Sequence, residues 1–330
     1  MKFVRIKKKI VFIILFILLV TGLSLFKLYY KNLFSAKMVM GGKLYIQTLG
    51  NEEYNINNEK IDVEDVEKYF RPSKQPVLND KNFNIVISNY YGKEPSEINL
   101  PDILFKNPEY SITNYFSILR EAANPQKGKY AGCGTLGQAK LPYPVAYNFL
   151  SAGYQKKLSY DQYLKTFENI LHVNLIKIKE IPVYNETTNT LRYFVEIETI
   201  EGSDKDAAYF AYYYGFIDLM KEENKYLISN LEFYGENYLC APYHGWSYDA
   251  ETSVKIRYSG WCALIKEMYP TEQEGYVKKI YFKGTDDNDY LIVFFQLTND
   301  TDIEIAQYIK SEGQDWKLTA LDPEKCLDNN

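Results

Sequence analysis

The stretch Tyr238–Glu251, YLCAPYHGWSYDAE, gathers a cysteine, a histidine, a tryptophan and three tyrosines into one turn-like segment. Cys240 and His244 stand in C-x3-H spacing. A neighbouring base can take the proton of a cysteine and leave a nucleophilic thiolate. The same two residue types also ligate zinc. A zinc site would need a second close ligand pair, and His172 and His244 are the only histidines in the chain. The segment therefore reads as a joint between two folded units. Pro242 and Gly245 supply its turn, and Tyr243, His244 and Trp246 are expected at the junction. No metal or other cofactor is expected.

The four cysteines are Cys133, Cys240, Cys262 and Cys326. An even number outside a membrane is compatible with disulfides, and four cysteines permit three pairings. Cys240 follows the last strand pattern of one unit and Cys262 falls in a helical pattern of the next. The expected pairs are Cys240 with Cys262 and Cys133 with Cys326. The alternative is four buried, reduced thiols. The glycine-rich AGCGTLG lacks the Lys-Ser/Thr ending of a phosphate-cradling loop and reads as a connection. Glu196 and Glu198 alternate with Val195 and Ile197, so the two carboxylates share one sheet face. Two like charges there are expected on a solvated face.

These residues need elements to hold them. NPEYSITNYFSILREAAN places Ile112, Tyr115, Phe116 and Leu119 on one helical face, with Pro108 at the start. PYPVAYNFLSAGYQKK and SYDQYLKTFENIL give two more helical patterns, the last with Ser159 and Gln162 as a capping box. Strands follow at VNLIKIKEIPVY, TLRYFVEIETI, AYFAYYYGFIDLM and KYLISNLEFY. After the joint, Val254, Arg257, Tyr258, Trp261, Leu264, Ile265 and Met268 recur at helical spacing. Four more strands follow, at YVKKIYF, DYLIVFFQL, DIEIAQYIK and DWKLTAL. The two halves match in element order and turn chemistry, as a diverged internal repeat would. Before them, GGKLYIQTL and NFNIVIS read as strands and VEDVEKYF as a short helix.

The N-terminus differs in kind. Residues 10–26, IVFIILFILLVTGLSLF, carry no charge. With Leu28, Tyr29 and Tyr30 the run approaches the roughly 20 residues that cross a bilayer as a helix. It exceeds the roughly 7–15 residues of a signal-peptide core, and no small-x-small cleavage site follows. Lys2, Arg5, Lys7, Lys8 and Lys9 precede it, which places the N-terminus in the cytoplasm and the body outside. The whole chain of 330 residues carries a formal net charge of −5, so the body beyond this basic cluster is the more acidic. That argues against nucleic-acid binding, which needs a basic patch. The abundance of Lys, Asn, Ile and Tyr fits the AT-rich coding of a low-GC bacterium.

Helices followed by a four-stranded curved sheet, ending in GFIDLMKEENKYLISNLEF, resemble the nuclear transport factor 2-like superfamily, a cystatin-like α+β roll. The resemblance implies helices packed into the concave face of the sheet to form a cone. It covers residues 107–234, and residues 248–321 resemble a reduced copy. Enzymes with this roll place acid–base groups in the cone, where Tyr147, Asp161, Glu196 and Asp218 would be the candidates by position. One anchor followed by tandem rolls is similar to the bitopic scaffolds of conjugation and type IV secretion machines in Gram-positive bacteria.

The expected fold is thus α+β, tandem cystatin-like rolls behind one transmembrane helix. The expected organisation is a cytoplasmic tail and anchor over 1–31, a membrane-proximal segment over 32–106, a first roll over 107–236 and a reduced second roll over 237–330. The expected function is that of a single-pass, extracytoplasmic protein-binding scaffold of the bacterial cell envelope, without catalysis. Its partners would be the membrane, through its own anchor, and other membrane or envelope proteins, itself included, but no nucleic acid. The alternative is a small-molecule or lipid binder, or an enzyme, that uses the cone of the first roll as its pocket.

Overall fold

The computed structural model describes residues 37–45, 75–80, 86–131, 137–184, 189–205, 207–236 and 245–327. The expected anchor, the VEDVEKYF helix, Cys133, Cys240, Tyr243 and His244 lie outside these residues. Among the described residues no helix is long and apolar enough to cross a membrane. The fold is α+β, with two mainly antiparallel sheets and few helices.

Helix α1 spans Pro108–Arg120. Asn107 caps it, its side chain accepting the Tyr110 N–H at 2.7 Å, and Pro108 occupies the first turn, where a missing N–H costs nothing. Ile112, Tyr115, Phe116 and Leu119 are buried as their spacing requires, but so is every residue from Ser111 to Leu119. The polar side of the helix is covered as well. Asn114 donates to the Leu104 carbonyl at 2.8 Å, and Asn79 donates to the Phe116 carbonyl at 2.9 Å.

The helical pattern after residue 142 resolves into α2 (Tyr143–Tyr147) and α3 (Ala152–Lys157), not one helix. The break has a cause: the Ile228 N–H donates to the Phe149 carbonyl at 2.9 Å, and the Ser151 N–H donates to the Ile228 carbonyl at 2.8 Å. Backbone taken by a neighbouring strand cannot continue a helix. Helix α4 (Tyr160–Lys165) carries the expected capping box of Ser159 and Gln162.

The first sheet runs β1-β2-β6-β5-β4-β3. Its main strands are β3 (Ile170–Ile181), β4 (Thr190–Glu201), β5 (Tyr209–Glu222) and β6 (Lys225–Gly235), an antiparallel meander. β1 (Met38–Val39) is a two-residue strand, and β2 (Gly42–Tyr45) pairs parallel to β6 with Leu44 opposite Phe233. Gly215 of β5 lies so close to β6 that a Cβ there would stand 2.2 Å from the Glu232 carbonyl oxygen, so only glycine fits. Farther along the chain, NFNIVIS does not form the expected strand over its described part: Ile87–Tyr90 is a 3-10 helix.

The second sheet runs β12-β11-β10-β9-β7, with β8 also on β9. Its strands are β7 (Ile265–Met268), β8 (Glu272–Glu274), β9 (Val277–Gly284), β10 (Asp289–Gln296), β11 (Asp302–Lys310) and β12 (Lys317–Thr319). Helix α5 (Ala250–Val254) passes into a π-helix over Lys255–Trp261. The expected helix therefore ends earlier than its periodicity suggested. Ala250, Val254 and Tyr258 do enter the core with Ile280, Phe282, Tyr290, Ile292 and Phe294. Leu264, Ile265 and Met268 reach the same core from a loop and β7.

The two sheets meet through one apolar cluster. Ile181, Phe194 and Tyr214 of the first sheet share it with Phe295, Leu297, Ile305 and Ala306 of the second. Val195 and Ile197 alternate with Phe194 and point the other way, where they are also fully buried. The first sheet is therefore covered on both faces.

Candidate functional site

The doubly covered sheet overturns the expectation of a solvated Glu196 and Glu198. Both share one face, as their alternation demands, but each is 0% exposed. A buried carboxylate must be paired or hydrogen-bonded, and both are. Lys177 Nζ lies 2.6 Å from Glu196 Oε2, and the Thr298 N–H donates to Glu196 Oε1 at 2.8 Å. Lys177 also donates to the Gln296 carbonyl at 2.8 Å and sits 5.3 Å from the Tyr276 ring centroid. Glu198 accepts from Asn174 at 2.9 Å and from the Tyr212 hydroxyl at 2.7 Å. His172 bonds Asn174 at 3.0 Å, and burial, aided by the charge of Arg120, holds its imidazole below the ordinary histidine range. Glu201 accepts from the hydroxyls of Tyr213 at 2.7 Å, Tyr209 at 3.0 Å and Thr199 at 3.0 Å.

Glu236, just past the end of β6, is different. Both its carboxylate oxygens are buried and neither meets a hydrogen-bond partner. Burial, then the charge of Glu196, push its carboxyl well above the ordinary range, with Lys177 opposing. Sequence reasoning missed Lys177 and Glu236. The alternation that groups Glu196 with Glu198 extends across neighbouring strands to Lys177, but only the register identifies the partner.

The four candidates for acid–base work do not converge. Tyr147 lies in the helical layer and donates to the Leu158 carbonyl at 2.8 Å. Asp161 is exposed in the first turn of α4. Glu196 and Asp218 project from the sheet face opposite the helices. Asp218 accepts from Asn230 at 3.2 Å and lies 3.6 Å from Arg192; burial raises its carboxyl, and Arg192 opposes that. The space between helices and sheet is filled by Tyr115, Phe116, Tyr143, Phe149, Tyr163 and Phe167, all fully buried. The hydroxyls of Tyr115 and Tyr163 lie 3.2 Å apart. Among the described residues no cluster of three or more acidic, histidine or cysteine side chains could hold a metal ion. A groove of about 480 Å³ opens beside β8, lined by Lys179, Glu272, Tyr276, Lys279 and their neighbours. Its charges are of both signs.

The cysteines pair differently from expectation. Cys262, at the end of the π-helix, is bonded to Cys326, with Cα atoms 5.1 Å apart. Neither Cys240–Cys262 nor Cys133–Cys326 therefore forms, because each sulfur makes one such bond. The 3-10 turn Pro323–Cys326 brings the chain end back against the π-helix, a return that element order does not reveal. Trp246 lies at the surface, 39% exposed, edge-on to Trp261 at 5.8 Å with the Arg257 guanidinium 5.9 Å from its ring. A second such group lies on the second sheet, where Trp316, 37% exposed, meets Tyr281 at 6.1 Å and Lys310 at 5.8 Å. Comparison with protein-family models, curated proteins and solved structures returns no match.

Proposed function

We propose that this chain is a non-catalytic, membrane-anchored extracytoplasmic protein that binds other proteins, a scaffold of a secretion, conjugation or other cell-envelope assembly. One observation carries the reading: the interior where a roll would hold its ligand or its catalytic groups is packed with aromatic side chains. A binding pocket of the usual kind needs about 300–1,000 Å³ with a few convergent polar groups. The aromatic filling disfavours the cone as a pocket, and with it the small-molecule or enzyme alternative.

The tandem-roll reading draws support from two meanders in the same order, β3-β4-β5-β6 and β9-β10-β11-β12, the first with its helices on one face and the second with α5 and the π-helix on one face. The extracytoplasmic reading draws support from the Cys262–Cys326 bond, since disulfides persist in oxidising compartments. It also rests on the charge-free run after the N-terminal basic cluster. Partners would meet exposed tryptophan–cation groups. Trp, Tyr and Arg dominate binding hot spots, and Trp246 with Arg257, and Trp316 with Tyr281, are of that composition.

The test places a photo-cross-linking amino acid at Trp246, at Trp316 and, as control, at exposed Glu312 in the full-length chain in intact cells. Discrete cross-linked envelope proteins from one or both tryptophan positions, and none from the control, are expected. No adduct from either tryptophan position would overturn the reading.

A further inference from the structure

β3 is an edge strand of the first sheet, and its outer side is covered only in part. Residues of an antiparallel strand alternate between pairing with the neighbour and turning their N–H and C=O away from it. Leu175 turns away: its N–H donates to Asn79 Oδ1 at 2.9 Å, and its carbonyl accepts the Leu78 N–H at 2.8 Å. Asn79 also donates to the Val173 carbonyl at 3.0 Å. Amide groups from a distant part of the chain thus close this half of the edge. Past the irregularity after Leu175, Ile178 turns away, and its carbonyl accepts the Tyr276 hydroxyl at 3.3 Å. Alternation makes Glu180 the next. Among the described residues the Ile178 N–H and the N–H and carbonyl of Glu180 meet no partner on this outer side. Lys179 and Glu180 are exposed.

The groove of about 480 Å³ borders this open stretch. Lys179 lines one wall, and β8 with Tyr276 and Lys279 lines the other. Lys279 lies opposite Glu272 in the β8–β9 ladder, so those two charges answer each other. Lys179 makes no ion pair among the described residues. Pro182, just beyond β3, has no N–H to offer, so the open stretch is short. A short opening suits one peptide and not a growing sheet.

We propose that this half of the β3 edge takes up an extended, acidic peptide segment of a partner protein, which pairs its backbone with Ile178 and Glu180 and sets a carboxylate against Lys179. The proposal rests on the protein-binding reading and adds a contact unlike the tryptophan groups. Backbone pairing along a strand edge supplies affinity, and alternate side chains supply specificity. The same edge already accepts amide groups at Val173 and Leu175, so the partner continues a pairing that the chain itself begins.

The probe is a blocked octapeptide of alternating glutamate and valine, added to the full-length protein in detergent. In the free protein the Ile178 and Glu180 amides should exchange faster than the Lys179 amide, which the ladder holds. Peptide should slow both by about tenfold or more. Glu180→Pro removes the outward N–H and leaves the ladder intact, since proline is tolerated on an edge where its nitrogen faces out; it should abolish binding. Lys179→Glu should weaken binding by about fivefold. A fully N-methylated peptide should not bind. Ile178 and Glu180 amides as slow as Lys179 in the free protein would mean that the chain fills its own edge, and would overturn the proposal. So would unchanged exchange in millimolar peptide, or equal binding of the N-methylated peptide, which decides alone if Glu180→Pro does not fold. None of these outcomes touches the cross-links expected at Trp246 and Trp316, so failure of the edge is distinct from failure of the protein-binding reading.

Discussion

Removing Lys177 alone should be worse than removing its pair. Lys177→Met leaves Glu196 buried and without its counter-charge, which typically costs about 3–5 kcal/mol. The double variant Lys177→Met, Glu196→Leu replaces the pair by apolar side chains in a face already lined by Phe194 and Tyr214, and should recover most of the loss. Urea unfolding of the two variants checks this; equal losses would mean that the charges are not coupled. At this scale the chain was partly legible in advance. Asn107 and Ser159 cap helices as their residue types suggest, because a cap is a local hydrogen bond. Glu196 and Glu198 share a face because alternation is local too. That this face is buried is not local: it depends on a second sheet whose strands begin some way along the chain. The unexpected pairing of Cys262 with Cys326 has the same origin, since disulfide connectivity follows from where elements return in space.

Among elements, α4 offers the cleanest measurement. Ser159 and Gln162 satisfy each other's backbone N–H groups in a short helix that closes over Tyr163, a fully buried residue. Ser159→Ala should lower stability by about 1 kcal/mol, read as a shift in the urea midpoint without a change in slope. The strands of the two meanders, β3 to β6 and β9 to β12, and the first helix were legible from periodicity. The failures have specific causes. Residues 143–157 carry a helical pattern, but β6 claims the backbone of Phe149 and Ser151. Residues 264–268 carry one too, but Ile265–Met268 pair with β9 while still touching the same core. Apolar spacing records that a residue reaches a core and leaves open which backbone brings it there. The parallel pairing of β2 with β6 joins segments far apart in sequence, and no local signal announces such a contact.

For the whole molecule, the expected anchor sets a topology that can be measured. If residues 10–30 cross the membrane with the basic cluster inside, protease added to intact protoplasts should digest residues 37–330 and spare a short N-terminal fragment. A body that resists digestion until the membrane is breached would reverse the orientation. The Cys262–Cys326 bond also has a mechanical meaning. All of the second sheet, from β7 to β12, lies between the two bonded cysteines. A force applied at the chain ends passes through the sulfur bridge and bypasses those strands. In single-molecule pulling, the sheet should add no length while the bond is intact. After reduction, the 64-residue separation should release an extra contour of roughly 210–230 Å at full extension. The segment between the two cysteines would then behave as an inextensible link, and become an extensible one only where thiols are kept reduced.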